Sequence, residues 1–440
     1  MRASLRELVR YPSAVAGLCI LAFLVALSVY AVVAIPYGEA IRLWSGGEAL
    51  WARNPRHARP EWMGWLWGGR LPRTLVVRST EVPAQERDLG GGVRQLEFAL
   101  PFDYPYRRFP PELAVFLRAD YREQAPQVEL GWRTPDGSQV HLANLSPRRQ
   151  DVYRVSADGD LRRALGGAPE VVLFSRPGQP GEATPGRYAL EVRAYLFEPG
   201  STVQVELVVY GEVHGLAGTD HLRRDLTLPL LWGTPIALAF GLLAAVGSSL
   251  STLLIAAVGA WYGGWVDGLI QRITEVNLIL PALPILILIG TLYSRSLWVI
   301  LGAVVLLGVF GGGIKTYRAL FLQVRESPYV EAARAYGVGN LRMVVVYLVP
   351  RAVPVLLPQF VTLIPGFVFL EATLALLGLG DPVLPTWGKV IEDAYRAGAL
   401  YVGHTYWVLQ PAAMLVLSGL AFTLLGFALD RVFNPRLREL

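Results

Sequence analysis

Two polar side chains interrupt the apolar stretches of this sequence and are the first candidates for chemistry. Glu371 and Asn277 lie within, or near the end of, runs long enough to cross a membrane. A strongly polar side chain inside a bilayer is costly, so it usually lines a path for cargo or pairs within the protein. We expect Glu371 to line such a path or to bind backbone or a partner helix, with a structural role favoured. For Asn277 a path, a solvated or an inter-helix role stays open.

The sequence contains no motif that indicates an enzymatic site. The five histidines are scattered, and no Cys/His spacing is typical of a metal site. Cys19 is the single cysteine, so no intramolecular disulfide can form. A phosphate-binding loop of the form Gly-x-x-x-x-Gly-Lys-[Ser/Thr] is missing, and the fragment GGGIK at 311–315 lacks its spacing and hydroxyl. We therefore predict neither an ATPase site nor a metal centre.

The elements that must position these side chains are mostly apolar helices. The 440 residues are 53% hydrophobic with a mean hydropathy of +0.39, which favours a membrane bundle plus a water-exposed domain. The first run, Ser13–Ile35, is too long for a secretory leader and is predicted to be a retained spanning helix. Five more spanning helices are predicted at about 231–260, 270–293, 297–321, 344–377 and 406–430.

Basic residues define the predicted orientation of this six-helix bundle. Nearly all of them fall on one side of the predicted bundle: Arg272, Lys315, Arg318, Arg325, Arg334, Arg342, Arg351, Arg431, Arg436 and Arg438. The opposite short segments hold Arg295, Lys389 and Arg396. Because basic residues concentrate on the cytoplasmic side, we predict that both termini are cytoplasmic and that residues 36–228 lie outside.

The long outer segment has two parts with different compositions. Residues 37–69 are rich in tryptophan, at Trp44, Trp51, Trp62, Trp65 and Trp67. Tryptophan beside a spanning helix is typical of the membrane interface, although these residues are also compatible with the outer domain's own core. We predict an interfacial linker here, between the first helix in 1–36 and an outer domain at 70–213.

Residues 70–213 consist of short β-prone runs separated by turn residues. These include TLVVRS (74–79), QLEFAL (95–100), ELAVFLRA (112–119), QVELGW (127–132), DVYRVS (151–156) and EVVLFS (170–175). The clearest pair alternates within 187–213 around a turn at 198–201. About eight or nine strands in this length predict an antiparallel β-sandwich of jelly-roll or immunoglobulin-like kind. The remaining residues, 214–440, hold the other five helices.

The stretch SPYVEAARAYGVGN, residues 327–340, predicts a short helix on the cytoplasmic side. Ser327 is a favoured N-cap and Pro328 a favoured first residue, while Glu331 suits the positive end of the helix dipole. Alanines at 332, 333 and 335 favour helix and let another surface come close. Gly337 predicts a left-handed stop, and Asn340 the cap of a second helix.

The same stretch resembles a family motif. Glu331-Ala332-Ala333, Gly337 after three residues, and Tyr347-Leu348-Val349-Pro350 after nine more resemble the EAA motif of ABC importer permeases. Segments 10–21, 218–244, 259–276 and 371–394 are similar to the dipeptide/oligopeptide-type permeases, and together they resemble the C-type permease subunit. The departures are Tyr347 and Val349, where the family usually has Ile and Leu, Arg223 in place of a glycine, and the extra domain at 37–213.

The resemblance implies roles for the residues that match the family's segments. The segment at 327–350 would be the coupling element that docks in a groove of a cytoplasmic ATPase, with Glu331 in polar contact, Ala332 and Ala333 at the interface, Gly337 at the turn and Pro350 closing the motif. In the segment that leads into the second helix, Asp220, Arg224 and Asp225 would organise the chain at the outer interface.

The resemblance also implies a function. The chain would be a permease subunit of an ATP-driven importer for peptides or similar small solutes in a prokaryotic cell membrane. Its partners would be a second homologous permease, two ATPases that carry ATP and Mg, an extracytoplasmic substrate-binding protein and membrane lipid, with no nucleic acid and no cofactor on this chain. The alternative is a membrane-anchored ligand-binding or sensory protein that acts through the β-domain.

Overall fold

The computed structural model describes residues 11–66, 71–176 and 181–433. Residues 1–10, Trp67, Arg436 and Arg438 lie outside this range. The N-terminal helices are α1 (Pro12–Ala34), α2 (Tyr37–Ser45), α3 (Gly47–Leu50) and α4 (Met63–Leu66). The strands are β1 (Leu75–Arg78), β2 (Gln85–Gly90), β3 (Val93–Tyr104), β4 (Leu113–Asp120), β5 (Gln127–Arg133), β6 (Gln139–Leu145), β7 (Gln150–Tyr153), β8 (Gly186–Leu196) and β9 (Thr202–Val209), with α5 (Gly159–Leu165) and α6 (Pro169–Val172) between β7 and β8.

The later helices follow the strands in the chain. They are α7 (Thr227–Tyr262), α8 (Gly264–Ile279), α9 (Ala282–Leu292), α10 (Leu297–Val309), α11 (Gly313–Arg325), α12 (Pro328–Ala335), α13 (Asn340–Arg342), α14 (Val349–Leu374), α15 (Trp387–Arg396) and α16 (Tyr406–Phe433). Two π-helical segments, Met343–Leu348 and Ala375–Leu379, flank α14. The chain divides into two compact units, residues 1–46 with 228–440 and residues 47–227.

The unit of residues 47–227 is built on two antiparallel sheets. One has the strand order β1-β9-β4-β7 and the other β2-β3-β8-β5-β6. Alternate residues of both sheets point into one apolar core: Phe98, Leu100, Leu113, Val115, Leu117, Leu130, Trp132, Leu190, Val192, Val205 and Leu207. Because two sheets share one core, this unit is a β-sandwich, which is the predicted architecture.

The strands β8 and β9 correct the predicted pairing at 187–213. They do not form a hairpin, since β8 pairs with β3 and β5 while β9 pairs with β1 and β4. Their apolar faces meet across the core instead, and residues 197–201 carry the chain from one sheet to the other. The carboxylate of Glu198 accepts hydrogen bonds from the backbone N–H groups of Arg122, Glu123 and Gln124 at 2.6–2.8 Å, which fixes this crossing.

The run EVVLFS at 170–175 is helical at its start rather than a strand. Pro169 is the first residue of α6, where its fixed φ suits a helix and its missing N–H has no partner to lose. Leu173 and Phe174 then turn into the sandwich core. A short apolar run of this kind has no periodicity that separates a strand from a buried helical turn.

The other unit contains the apolar helices. Among the described residues, four helices are long and apolar enough to cross a membrane: Pro12–Ala34, Thr227–Tyr262, Leu356–Leu379 and Tyr406–Val432. Two bent pairs, α8 with α9 at 80° and α10 with α11 at 45°, raise the number to as many as six if each pair is one span. The predicted helices at 270–293 and 297–321 are therefore broken, and the six-span topology stays a prediction.

The tryptophans of the predicted interfacial linker do not share one environment. Trp44 is buried, with 2% of its surface exposed. Trp62 and Trp65 are exposed in the other unit, and Trp62 Nε1 donates to the Leu216 carbonyl at 2.9 Å. The linker 37–69 is thus divided between the two units at Gly46 and Gly47.

A close approach of α7 and α15 requires a glycine. A Cβ at Gly233 would lie 2.3 Å from Trp387 Cδ1, and Trp387 Nε1 donates to the Leu230 carbonyl at 3.1 Å. We predict that Gly233→Ala destabilises the helical unit by about 1–3 kcal/mol, because the buried indole must move. Thermal unfolding in detergent measures this. Gly302→Ala on α10 is the control, since its Cβ meets no atom within 4 Å, and equal effects of both changes would contradict the prediction.

Candidate functional site

The helix α12 has the start and stop that the sequence predicts, but by different contacts. Ser327 occupies the N-cap position, yet its hydroxyl donates to the Val324 carbonyl instead of capping the helix. Pro328 is the first helical residue. Because proline has no N–H, the start of the helix has one fewer N–H group without a partner. The helix ends where Gly337 takes a φ of +77°, a left-handed conformation that glycine adopts without strain.

One face of α12 packs into the helical unit. Val330 and Ala333 are buried in a cluster that includes Trp261, Phe321 and Met343. The prediction that Ala333 is open to another protein is therefore wrong, because its small side chain instead lets α12 lie close to its own bundle. The loss of apolar exposure at this face holds the helix in place without any partner.

Two cations on aromatic rings and one hydrogen bond complete this attachment. The Arg334 guanidinium lies 5.1 Å from the centre of the Trp261 ring, and the Arg351 guanidinium lies 4.9 Å from that of Tyr329. Trp261 Nε1 donates to Asn340 Oδ1 at 3.1 Å. The prediction that Asn340 caps the next helix is therefore wrong. Gly339 occupies the N-cap position, and α13 begins at Asn340.

The opposite face of α12 is open. Glu331, Ala332 and Ala335 are exposed, and the adjacent Tyr336 is 89% exposed. None of the described residues forms an ion pair or hydrogen bond with the Glu331 carboxylate. Glu331, Ala332, Ala335 and Tyr336 thus form the exposed face of α12 and of the turn that follows it. It offers one unpaired negative charge among small and aromatic side chains, which is suited to docking in a groove of another protein.

Pro350 lies apart from this face. It is exposed near the start of α14. The preceding residues, Met343–Leu348, are π-helical. Pro350 therefore marks the return into the bundle rather than a contact of α12.

Asn277 belongs to α8, and its side chain reaches the break between α10 and α11. Its Nδ2 donates to the carbonyls of Leu307 and Phe310 at 2.9 and 3.1 Å, and Thr252 Oγ1 donates to the Val309 carbonyl at 2.8 Å. A bend in an apolar helix frees backbone carbonyls, and these two side chains satisfy them. The inter-helix role is thus the one that the contacts support.

Replacement of Asn277 by leucine should destabilise the helical unit by about 1–3 kcal/mol, because two carbonyls lose a donor in an apolar setting. Thermal unfolding of the detergent-solubilised chain is the measurement. Thr291→Val is a matched polar-to-apolar control, since among the described residues the Thr291 hydroxyl bonds only to carbonyls of its own helix. A variant of Asn277 as stable as this control would argue against the satisfying role.

Glu371 also lies among partners from its own chain. It is 5% exposed, it forms a hydrogen bond with the Thr386 side chain, and it lies beside Gly388, where a Cβ would come within 3.3 Å of Oε2. Thr386 in turn accepts from the Lys389 N–H at 3.1 Å as the N-cap of α15. Glu371 therefore joins α14 to the start of α15, which is the structural alternative.

The segment before α7 is organised around a buried carboxylate. Asp220 is fully buried and accepts hydrogen bonds from the N–H groups of Leu222 and Arg224 at 2.8 and 2.9 Å. The Arg224 guanidinium also pairs with it at 2.5 Å. Asp225 Oδ1 accepts from the N–H of Thr227, the first residue of α7, at 2.8 Å. All three predicted residues thus fix the backbone that leads into this helix.

Arg223 makes buried contacts in the sandwich unit that the sequence does not predict. It has a φ of +64°, so it keeps the left-handed turn usual for a glycine. Its guanidinium is buried against the carboxylates of Glu48 and Glu112 and the Asn54 carbonyl, 4.5 Å from the Tyr210 ring centre. In the sequence, the sign of this role was an arginine at a position where the family usually has a glycine. The ion pairs within the sandwich unit explain why an arginine stands there.

Glu48 is the shared acceptor of this cluster. Arg56, Arg154 and Arg223 lie 2.6, 3.1 and 3.3 Å from its Oε1. Burial raises the pKa of Glu48, but the hydrogen bonds and charges of these arginines outweigh it and hold the pKa below the usual 4.5. The carboxylate therefore stays ionised through the neutral range.

Comparison with known proteins places the helical unit in a family. Residues 237–439 match the family described as binding-protein-dependent transport system inner membrane component. This range contains α12, Asn277 and Glu371, and residues 47–227 lie outside it. The dipeptide transport system permease protein DppC of Bacillus subtilis is 30% identical over 223 residues, which cover 50% of this chain and 69% of that protein.

Two further relatives have similar names and coverage. The di/tripeptide transport system permease protein DppC of Pseudomonas aeruginosa is 29% identical over 57% of this chain and 80% of its own length. The peptidoglycan transport system permease protein YejE of Agrobacterium fabrum is 33% identical over 50% of this chain, and the chain spans 56% of its length.

The chain belongs to the family of binding-protein-dependent transport system inner membrane components. It is a membrane permease subunit, and the relatives named above are permease proteins of transport systems. The resemblance seen in the EAA-like motif is thereby confirmed at the level of the family.

Proposed function

We propose that the chain is a permease subunit of an ATP-driven importer for peptides or similar small solutes, coupled to ATPases through residues 327–350. The observation that carries this proposal is the two-sided helix α12. Its inner face is fixed in the bundle through Val330 and Ala333, while Glu331 and its neighbours remain exposed and unpaired among the described residues. The names of the relatives supply the substrate class.

The attachment of α12 explains how force would reach the spanning helices. Trp261 lies near the end of α7 and contacts both Arg334 and Asn340. Arg325 Nη1 donates to the Ala260 carbonyl at 2.9 Å, and Arg318 pairs with Asp267 through two hydrogen bonds of 2.5–2.6 Å. A displacement of α12 is therefore transmitted to α7, α8 and α11 together. Closure of the ATPases around ATP and Mg would supply that displacement.

The remaining partners follow from this function. A second homologous permease would complete the translocation path, and two ATPases would dock on the cytoplasmic side. A substrate-binding protein would deliver cargo on the other side. The distribution of basic residues supports cytoplasmic termini and an extracytoplasmic position of residues 36–228 in a prokaryotic cell membrane with six spans.

A pull-down in mild detergent tests this assembly. The tagged chain is purified from its native membrane after gentle cross-linking, and the proteins that accompany it are identified. We expect ABC ATPases and a second permease in the eluate. Recovery of the chain alone would contradict the proposal and would favour a ligand-binding or sensory role of the sandwich unit.

A further inference from the structure

The outer face of one sheet in the sandwich unit carries a cavity with an organised lining. The cavity has a volume of about 700 Å³ and lies over the sheet β1-β9-β4-β7, with residues 48–53 along one side. A volume of this size suits a small organic ligand. Its floor is formed by the outward residues of β4, β7 and β9, because the inward residues of β4 and β9 belong to the sandwich core.

The strand register sorts this floor into two rows. Arg118 of β4 is paired with Gln204 of β9 on one side and with Gln150 of β7 on the other. In the neighbouring row, Phe116 lies between Glu206 and Val152. The rows are about 7 Å apart, since they are separated by two residues along a strand. The first row is polar and offers only donors and amide oxygens, whereas the second holds the apolar Phe116 and Val152 beside the carboxylate of Glu206.

The charges of the cavity leave one cation without a partner in the described chain. Arg53 and Arg78 both pair with Glu206, at 2.5 and 3.2 Å, and Arg154 pairs with Glu48 at 3.1 Å. The Arg118 guanidinium is exposed in the cavity and forms no ion pair or hydrogen bond with a described residue. Asp151 also lines the cavity, and its Oδ1 accepts a hydrogen bond from the N–H of Val152 at 2.9 Å. The lining thus holds four arginines and three carboxylates, and this excess of one positive charge complements a ligand that carries one negative charge.

The apolar row is available to the same ligand. Val152 is 42% exposed, and the half-buried Phe116 also lines the cavity, with the Arg53 guanidinium 5.5 Å from the centre of its ring. A guanidinium binds a carboxylate through two parallel hydrogen bonds, and glutamine amides on both sides can add a third and a fourth donor.

We propose that this cavity binds the C-terminal residue of a short peptide. The carboxylate lies between Arg118, Gln150 and Gln204, and an apolar side chain rests on Phe116 and Val152. The choice of a peptide rests on the proposed function, whereas the need for a single carboxylate beside an apolar group rests on the cavity alone. The sandwich unit would thus hold cargo in addition to the path through the membrane.

Direct binding tests this site without any transport step. The purified full-length protein in detergent is titrated against Gly-Gly-Leu, labelled at its amino end, and fluorescence anisotropy reports the bound fraction. The same titration uses the peptide with a C-terminal amide. Arg118→Gln removes the charge, and Arg87→Gln, an exposed arginine on β2 of the other sheet, is the matched control.

We expect Arg118→Gln to weaken binding of the free acid by about tenfold or more, to the level of the amide, while Arg87→Gln leaves it unchanged. Phe116→Ala should weaken binding of Gly-Gly-Leu more than that of Gly-Gly-Gly. The proposal is overturned if wild type shows no saturable binding, or if the free acid binds wild type and Arg118→Gln equally. Either failure leaves the permease function intact, because co-purification of ATPases does not depend on this cavity.

Discussion

Glu331→Ala is expected to reduce ATP-driven uptake by about 30-fold or more while the chain still folds. The carboxylate is exposed and has no partner among the described residues, so its loss removes nothing from the permease's own fold. In the assembled transporter it would lie at an interface, where truncation of one partner of a buried charge pair costs about 2–5 kcal/mol. Uptake of a labelled tripeptide into membrane vesicles, together with the amount of ATPase that co-purifies, measures the effect.

Glu326→Ala provides the matched control for this change. Glu326 precedes α12, its side chain is 70% exposed, and it pairs with Arg325 at 3.1 Å at the surface, where such a pair contributes little. We expect nearly normal uptake and assembly in this variant. If Glu331→Ala behaved like Glu326→Ala in both measurements, the coupling role of Glu331 would be wrong.

Arg223→Ala is expected to destabilise the sandwich unit by about 3–5 kcal/mol. The change removes the buried cation that Glu48 and Glu112 share: Glu48 keeps Arg56 and Arg154, whereas Glu112 loses its ion-pair partner, and breaking a buried pair in this way is strongly unfavourable. The left-handed backbone at residue 223 adds nothing to this loss, because alanine, like the wild-type arginine, is not a glycine. Hydrogen exchange of β4 and β9 in the full-length protein reports the loss, as faster exchange in strands that are otherwise well protected.

Arg223→Gly separates the loss of the guanidinium from the cost of a left-handed backbone at a non-glycine residue. It removes the same guanidinium but restores the residue type that favours a positive φ, so we expect it to be less destabilised than Arg223→Ala by about 1 kcal/mol. Equal exchange rates in wild type and Arg223→Ala would show that the buried pairs do not stabilise the unit. A glycine variant less stable than the alanine variant would contradict the conformational part.

Acidification should act on the same cluster through Glu48. A carboxyl whose folded pKa is lowered contributes stability above its unfolded pKa, and that stability is lost as the pH falls through the folded value. We therefore expect the sandwich unit to lose stability below the usual pKa of 4.5, and Glu48→Gln to lose less between pH 7 and pH 4 than wild type. Thermal unfolding followed by tryptophan fluorescence compares the two. An identical loss in both proteins would exclude Glu48 as a contributor.

Local signals in the sequence predict much of this structure because they depend on neighbouring residues only. The strand positions follow from alternation, and the stop of α12 follows from Gly337, whose backbone conformation favours glycine. The spacing from Glu331 to Pro350 identified the family because it combines residue type and distance with the predicted membrane side. These features can be predicted without knowledge of tertiary contacts.

The contacts that the sequence does not predict are long-range. Alternation shows which side of β8 and β9 is buried, but it does not show that they join opposite sheets. The amide of Asn277 and the buried guanidinium of Arg223 find partners 30 or more residues away. Ala333 reads as a small surface residue, and its burial becomes visible only when α12 is placed on the bundle.

Cross-linking from α12 tests the central proposal most directly. Cys19 is replaced by serine, a single cysteine is introduced at Ala332 or at Ala333, and a short thiol-to-amine reagent is applied to native membranes. The exposed position, Ala332, should capture an ABC ATPase, and the buried one, Ala333, should not. Absence of an ATPase from the Ala332→Cys products, with the protein otherwise intact, would contradict the coupling role of this helix.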